Sequence, residues 1–149
     1  MQIQFNKYIR DGEQFIKEVA IEMADPDNLD RAGRILRAVL HTLRNRLPAS
    51  ESLQLISQLP MLIKAIYVDG WRLGNEAKYL RTPGDFMEGV REAGGRGTHQ
   101  EFVTDREVEH AIQAVFRVLK KHVSEGEIRD IMATVPEALW PLLGLNSER

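Results

Sequence analysis

Apolar side chains recur at helical spacing along most of the chain, and the clearest stripe lies between residues 29 and 47. At about 100° per residue, one wide sector of this segment is apolar, and it holds Ala32, Ile35, Leu36, Val39, Leu40, Leu43 and Leu47. The opposite side carries Arg34, Arg37, His41 and Arg44. This pattern predicts a core-facing helix from about Leu29 to Leu47.

The chain resembles itself at an offset of 76 residues. The shift superimposes apolar, acidic and proline positions, placing Ala38-Val39-Leu40 over Ala114-Val115-Phe116, Glu51 over Glu127 and Pro60 over Pro136. A proline inside a helical pattern removes a backbone donor and clashes with the preceding turn. Two prolines at equivalent points therefore indicate one unit used twice, by tandem duplication. A weaker echo at an offset of 71 sets Phe15 and Val19 over Phe86 and Val90, which adds a helix to the front of each unit.

Caps and prolines predict the helix boundaries of unit one, which covers about residues 11–71. Asp11 is expected to cap the first helix. Pro48 separates the long helix from a third one, because the residue before a proline is pushed out of the α region. Pro60 is expected to kink or break this arm before it ends at Gly70. Apolar residues cover too wide a sector for a surface helix, so we expect the arm to be buried on most sides.

Unit two follows a connector at about residues 72–81 and covers about residues 82–144. Its helices are expected to begin at three capping motifs, which are Thr82 with Asp85, Thr104 with Glu107 and Ser124 with Glu127. We expect residues 94–98, which hold three glycines, to be a flexible loop, since a phosphate cradle would need a lysine and a preceding strand. Residues 145–149 are expected to form a disordered tail.

The fold class that follows is all-α. No stretch that is long enough alternates polar and apolar residues as a strand does. We expect a single domain over residues 1–149, in which seven to eight helices form two pseudo-equivalent units of three or four helices each.

Composition narrows the function classes. The chain has 149 residues, a net charge of −2 and no cysteine. The absence of cysteine excludes a disulfide framework, a thiolate nucleophile and a cysteine-based zinc site, and it suits a reducing compartment. The longest uncharged run, residues 52–63, is too short to span a bilayer. We therefore expect a soluble cytoplasmic protein without membrane insertion.

Several segments together resemble a known family. They are DPD followed by LRAVLHTLRNRLP, QLPMLIKAIY with its DGW end, and HVSEGEIRDI with VPE in unit two. Over about residues 5–143 the chain resembles a bacterial family known as domain of unknown function 2267. The resemblance implies a cytoplasmic bacterial helical domain, and it implies no chemistry and no catalytic residue.

The arginine stripe, Arg34, Arg37, His41 and Arg44, has two interpretations. Guanidinium groups in a line match the phosphates of a nucleic-acid backbone. The first helix is acidic, however, with Glu13, Glu18 and Glu22. Neighbouring helices of opposite charge pair along their rims, so we favour an ion-paired surface and regard nucleic acid as the less favoured partner.

The turn that ends unit one carries Tyr67, Asp69 and Trp71. Amphipathic aromatic side chains around an acid are favoured in ligand pockets and protein interfaces. The favoured alternative is structural, with Gly70 as a helix C-cap followed by an anchoring tryptophan. If the chain binds a ligand, we expect the site in the cleft between the two units near this turn, with the stripe arginines beside it.

Metal and nucleophile motifs have little support in the sequence. Glu107 and His110 have the spacing of a di-iron helix, but a second such motif is lacking. We therefore expect no catalytic residue, no metal and no cofactor. The leading hypothesis is a non-catalytic protein-interaction or regulatory module with an unknown protein partner. A small-molecule binder or enzyme using the inter-unit cleft is the alternative, and nucleic-acid binding is the second alternative. The oligomeric state stays open.

Overall fold

The structure is a computed structural model, and it describes residues 2–74, 76–94, 102 and 104–146. Within these residues, regular secondary structure consists of seven α-helices and one 3₁₀ helix, without a strand. The helices are α1 Phe5–Glu22, α2 Leu29–Arg46, α3 Ala49–Ile56, α4 Met61–Val68, α5 Pro83–Ala93, α6 Asp105–His122, α7 Glu125–Thr134 and the 3₁₀ helix Glu137–Leu139. The all-α class is confirmed.

The helices of the second half begin 76 residues after those of the first, at α2 and α6, at α3 and α7, and at α4 and the 3₁₀ helix. Pro60 and Pro136 each occupy the N-cap position of the segment that follows, with φ −58°, ψ 151° and φ −57°, ψ 140°. The two prolines thus lie in the same backbone surroundings. A duplicated ancestral unit remains a prediction, and the names unit one and unit two are kept for the two halves.

Two helix starts in unit two are capped as expected. Thr82 and Thr104 each accept a hydrogen bond from the third helical residue, and the side chains of Asp85 and Glu107 bind the N-cap backbone in return. The start of α1 was predicted wrongly. The helix begins at Phe5, and Asp11 lies inside it as the partner of an i, i+4 ion pair, because the apolar stripe continues past the acid toward the N-terminus.

The expectation that the α3–α4 arm is buried on most sides was also wrong. Ile63 and Tyr67 face the core, but Met61, Leu62 and Val68 are 39–43% exposed. The two-turn helix α4 packs against α1 and α2 on one side, and its other face is exposed.

The core is one cluster that includes residues from both units. Helices α2 and α6 contact each other, and α1 and α5 each pack against both of them. Phe15 and Phe86, which the weaker echo aligned, are both fully buried. The connector closes one end of α2, because Ala77 donates its backbone N–H to Asn45 O and Arg46 Nε donates to Leu80 O at 3.1 Å.

Two predicted mobile segments fall partly outside the described residues. Of the loop at residues 94–98, Gly94 alone is described, and residues 147–149 of the predicted tail also lie outside. The tail prediction was wrong at its first residue, because Leu145 is buried in the core cluster. Among the described helices, none combines the length and the hydropathy that a membrane crossing requires.

Candidate functional site

The third helix of each unit, α3 and α7, meet at their N-terminal ends. Glu51 and Glu127 stand at the third position of these helices, and the offset of 76 residues relates them. Their residues are 8% and 4% exposed. The packing of the two units therefore brings two equivalent carboxyl groups together inside the protein.

Neither glutamate is used to cap its helix, and the local sequence gives the reason. Pro48, the N-cap residue of α3, has no backbone N–H for Glu51 to accept. In α7 the N–H of Ser124 is already bound by Gln58 Oε1 at 2.6 Å. The predicted Ser124–Glu127 box is thus only half formed, since Ser124 Oγ accepts from Glu127 N and the Glu127 carboxyl turns to Glu51.

Burial is the main influence on the charge of Glu127. Burial, the hydrogen bond with Glu51 and the charges of Glu51 and Asp130 raise the pKa of Glu127 to about 8. Each glutamate also keeps one buried oxygen, Oε2, without a hydrogen-bond partner among the described residues. Carboxylate oxygens of Glu51, Glu127 and Asp130 all lie within 4.8 Å of one another, with Asp130 on the exposed side.

Tyr67 lies beside the pair and is fully buried. Its hydroxyl and Ser52 Oγ share a hydrogen bond of 2.7 Å. Burial raises the pKa of Tyr67 above its ordinary value, and the nearby Glu127 and Glu51 add to the rise. The ring of Trp71 meets Tyr67 edge to face at 6.2 Å. Tyr67 is therefore part of the core next to the carboxyl pair and does not line an open cleft.

Two members of the arginine stripe are buried, contrary to the expectation that they lie on the outer side of α2. Arg44 Nη1 donates to the carbonyls of Tyr67 and Asp69, both at 2.9 Å, and burial lowers its pKa. His41 Nε2 bonds Ile66 O at 2.7 Å, and burial is the main reason that its pKa is lowered. Both side chains hold the C-terminal end of α4 against α2.

The other two members of the stripe are exposed. Arg37 pairs with the exposed Asp69 at 2.7 Å, and its hydrogen bond lowers the pKa of that carboxyl. Arg34 is exposed as well. His41 and Arg44 are buried against α4. The four side chains therefore do not form one continuous cationic surface of the kind that a nucleic-acid backbone would follow.

Glu18 and Glu22 of α1 pair with α6, where we had expected α2. Glu22 lies 3.7 Å from Arg117 and 3.5 Å from Lys121, and Glu18 lies 2.9 Å from His122. This rim joins the front helix of unit one to the long helix of unit two. The sequence revealed the charge contrast, but α1 packs against both α2 and α6, and the pattern could not show which of the two carries the bases that meet these acids.

The cavity beside Trp71 is small. The cavity lined by Arg44, Leu47, Ala49 and Trp71 has a volume of about 10 Å³, which leaves room for one water molecule at most. A much larger groove of about 760 Å³ lies within unit two, between the end of α6, α7 and the C-terminal segment. Its lining residues include Lys120, Val123, Glu125, Ile128, Arg129, Met132, Ala133, Trp140 and Leu145.

The groove has firm walls. Trp140 Nε1 donates to Met132 O at 3.1 Å, which ties the C-terminal segment to α7. Lys120 Nζ donates to Gly144 O, which ties it to α6. Neither the groove nor the carboxyl pair was predicted as a site. The alignment of Glu51 with Glu127 was visible in the sequence, but Glu127 was assigned to a cap.

The fold defines an all-helical protein whose two units meet at a buried carboxyl pair. The model of one family, described as uncharacterized conserved protein (DUF2267), matches residues 12–142. The match covers nearly the whole chain, so the protein belongs to this family. No curated protein matches the chain.

Proposed function

We propose that the protein is a non-catalytic protein-interaction module, and that its groove in unit two binds an apolar segment of another protein. The observation that carries the proposal is the groove itself, with about 760 Å³ of space beside α7. An exposed apolar groove with a polar rim is typical of surfaces that bind a partner.

The floor and rim indicate the chemistry of the partner. Val123, Ile128, Met132 and Leu145 supply apolar surface, and methionine adapts to side chains of different shapes. Arg129 lies on the rim, where its only described ion pair is a 3.9 Å contact with the exposed Glu125. Such a pair contributes little by itself. A partner segment with apolar side chains and one carboxylate placed for Arg129 fits these groups.

Preformed walls support this proposal, because ordering a binding surface costs free energy at the moment of association. The bonds from Trp140 to Met132 and from Lys120 to Gly144 hold the two sides of the groove in place before a partner arrives.

The test begins with a photoreactive amino acid at Ala133, which is exposed in the groove, and at Ala65, which is exposed on α4. In the cells of origin, we expect one protein to crosslink at position 133 and not at position 65. A peptide from the crosslinked region is then titrated by fluorescence anisotropy.

Two substitutions with matched controls complete this test. Ala133→Trp fills the groove and Arg129→Glu reverses the charge of its rim. Each substitution should lower the affinity for the peptide by roughly tenfold or more. Ala65→Trp and Arg10→Glu make the same chemical changes elsewhere and should leave the affinity unchanged. Equal crosslinking at both positions, or equal affinity of the Ala133→Trp variant, would contradict the proposal.

A second candidate, small-molecule binding, is favoured by the size of the same groove, since ligand sites have volumes of about 300–1,000 Å³. A thermal-shift panel of apolar carboxylic acids tests it. A ligand at 100 times its Kd adds about 2.7 kcal/mol of stability, which corresponds to roughly 5–11 °C in Tm for a chain of this size. The shift should vanish in Ala133→Trp and persist in Ala65→Trp.

We also propose that the protein acts in the bacterial cytoplasm. The resemblance found in the sequence and a composition without cysteine support this location. Fractionation of the source cells with an antibody to the chain checks it, and recovery in an extracellular or membrane fraction would contradict it.

A further inference from the structure

We propose that Glu51, Glu127 and Asp130 form a binding site for one divalent cation with a preference for oxygen ligands, which links α3 of unit one to α7 of unit two. This inference concerns a different surface from the groove and does not depend on it.

The geometry suits such an ion. Two ligand oxygens on one cation can be no farther apart than twice the metal–oxygen distance, which is roughly 4.0–4.2 Å for Mg²⁺ and 4.6–5.2 Å for Ca²⁺. The three carboxylates each offer an oxygen within 4.8 Å of the others. A separation of up to 4.8 Å is within the reach of Ca²⁺ and exceeds that of Mg²⁺, so the spacing of these oxygens suits Ca²⁺ better than Mg²⁺.

The second and independent observation is the state of the buried oxygens. Glu51 and Glu127 are both more than nine-tenths buried, and the carboxylate of each, which belongs to the cluster, has an Oε2 atom without a hydrogen-bond partner among the described residues. A buried polar atom that lacks a partner costs roughly 1–3 kcal/mol, and more when it is charged. A cation bound between them would satisfy both atoms, whereas a proton shared by the two glutamates satisfies only the oxygens that it joins.

The surroundings allow an ion to enter and to keep some of its water. Asp130 is exposed, so the cluster opens to solvent on the side of α7. Ca²⁺ takes six to eight oxygen ligands, and water completes a site that offers only three carboxylates. The hydroxyls of Ser52 and Tyr67 are bound to each other at 2.7 Å beside the pair, where they fix the helix that carries Glu51.

Isothermal titration calorimetry tests the proposal. The full chain is freed of metal with a chelator, dialysed at pH 7.5, and titrated separately with CaCl₂, MnCl₂ and MgCl₂. We expect one cation per chain, tighter binding of Ca²⁺ or Mn²⁺ than of Mg²⁺, and a rise in Tm with cation concentration. A flat titration and an unchanged Tm with all three cations at millimolar concentration would overturn the proposal and leave a pair that shares a proton only.

Three variants locate the site. Glu51→Gln and Glu127→Gln keep the shape of the side chain, and each should lower the affinity for the cation by more than roughly tenfold. Asp130→Asn changes an exposed residue, so it should fold normally and weaken the cation as well. Glu125→Gln, which removes an exposed acid from the same helix, is the control and should bind as the native chain does. Native affinity in Asp130→Asn and Glu127→Gln would place the ion elsewhere and overturn the assignment.

Discussion

The two units close their C-terminal segments in different ways. In unit one, Arg44 is buried and donates to two carbonyls at the C-terminal end of α4, and the cavity beside it measures about 10 Å³. At the position 76 residues later, the exposed Lys120 makes a similar bond to Gly144 O, but it borders a groove of about 760 Å³. A basic side chain that donates to backbone carbonyls thus borders a nearly filled cavity in unit one and an open groove in unit two.

The difference continues in the next layer. Ser52 and Tyr67 form a buried polar pair in unit one, whereas the positions 76 residues later hold Ile128 and Leu143. Trp71 packs on Tyr67 and helps to fill unit one. Unit one therefore uses polar contacts and an aromatic anchor to close itself. In unit two, apolar side chains line the open groove, and this is why we assign binding to unit two and support to unit one.

The largest effect should come from removing the positively charged side chains of Arg44 and Lys120 one at a time. Arg44→Met loses two hydrogen bonds from a charged donor and leaves two carbonyls unpaired, so we expect a loss of about 2–4 kcal/mol in the free energy of unfolding. Lys120→Met removes one exposed bond and should cost about 0.5–1 kcal/mol. Urea unfolding followed by circular dichroism measures both values.

Equal losses in these two variants would mean that the C-terminal segments of the units depend equally on Arg44 and Lys120. The proposed division, with support in unit one and binding in unit two, would then be wrong. Arg10→Met serves as the control, because Arg10 is an exposed arginine on α1. Its stability should match that of the native chain within about 0.5 kcal/mol.

The carboxyl pair tests how the units are joined. The pKa of Glu127 is about 8 in the folded chain, above its ordinary value of 4.5. The contribution of Glu127 to the free energy of unfolding is therefore fully present below pH 4.5. It is lost as the pH rises to about 8, because the unfolded chain releases the proton more readily. Glu127→Gln removes this loss, and we expect it to exceed the native chain by roughly 1–3 kcal/mol at pH 9 in the presence of a chelator.

The difference between Glu127→Gln and the native chain should shrink toward zero as the pH falls to 4.5. Urea unfolding at a series of pH values measures it. Asp130 and Tyr67 also face the pair, so Glu125→Gln, on the same helix but outside the cluster, is the control and should follow the native pH profile. A constant difference between pH 5 and pH 9 would show that Glu127 does not titrate in this range.

These contrasts show what the sequence could and could not predict. Helical periodicity predicted the long helices, and the offset of 76 predicted the shared role of the two prolines, because both patterns can be read from the sequence without knowing which helices pack together. The burial of Arg44 was missed because a helical wheel assumes one covered face, whereas α2 is covered by α1, α4, α5 and α6. The role of Glu127 was missed because Gln58, a residue of the other unit, takes the N–H that the capping box would use.

The contact between the units at α2 and α5 can be tested with glycine. A Cβ atom added at Gly89 would lie 2.9 Å from Thr42 Cγ2. Thr42 is buried, so α5 has to shift away from α2. We expect Gly89→Ala to cost about 1–2 kcal/mol, even though alanine favours the helix by about 1 kcal/mol over glycine. Thermal unfolding measures the change.

Gly33→Ala is the matched control, because a Cβ atom at Gly33 meets nothing within 4 Å. Only the helix propensity acts there, and this variant of α2 should gain up to about 1 kcal/mol. If both variants gain stability, α5 has room to move on α2, and the two units are less tightly joined than the distance indicates.

The last test concerns the polar pair that distinguishes the core of unit one, and its decisive quantity is a coupling of only about 0.5 kcal/mol or more. Tyr67→Phe leaves Ser52 Oγ buried without its 2.7 Å partner, and we expect a loss of about 1–2 kcal/mol. Adding Ser52→Ala removes the hydroxyl that is left without a partner. The double variant should therefore lose less stability than the sum of the two single losses, by about 0.5 kcal/mol or more. A strictly additive result in urea unfolding would show that the two hydroxyls do not depend on each other. Unit one could then carry an apolar pair at these positions, as unit two does, without loss of specific packing.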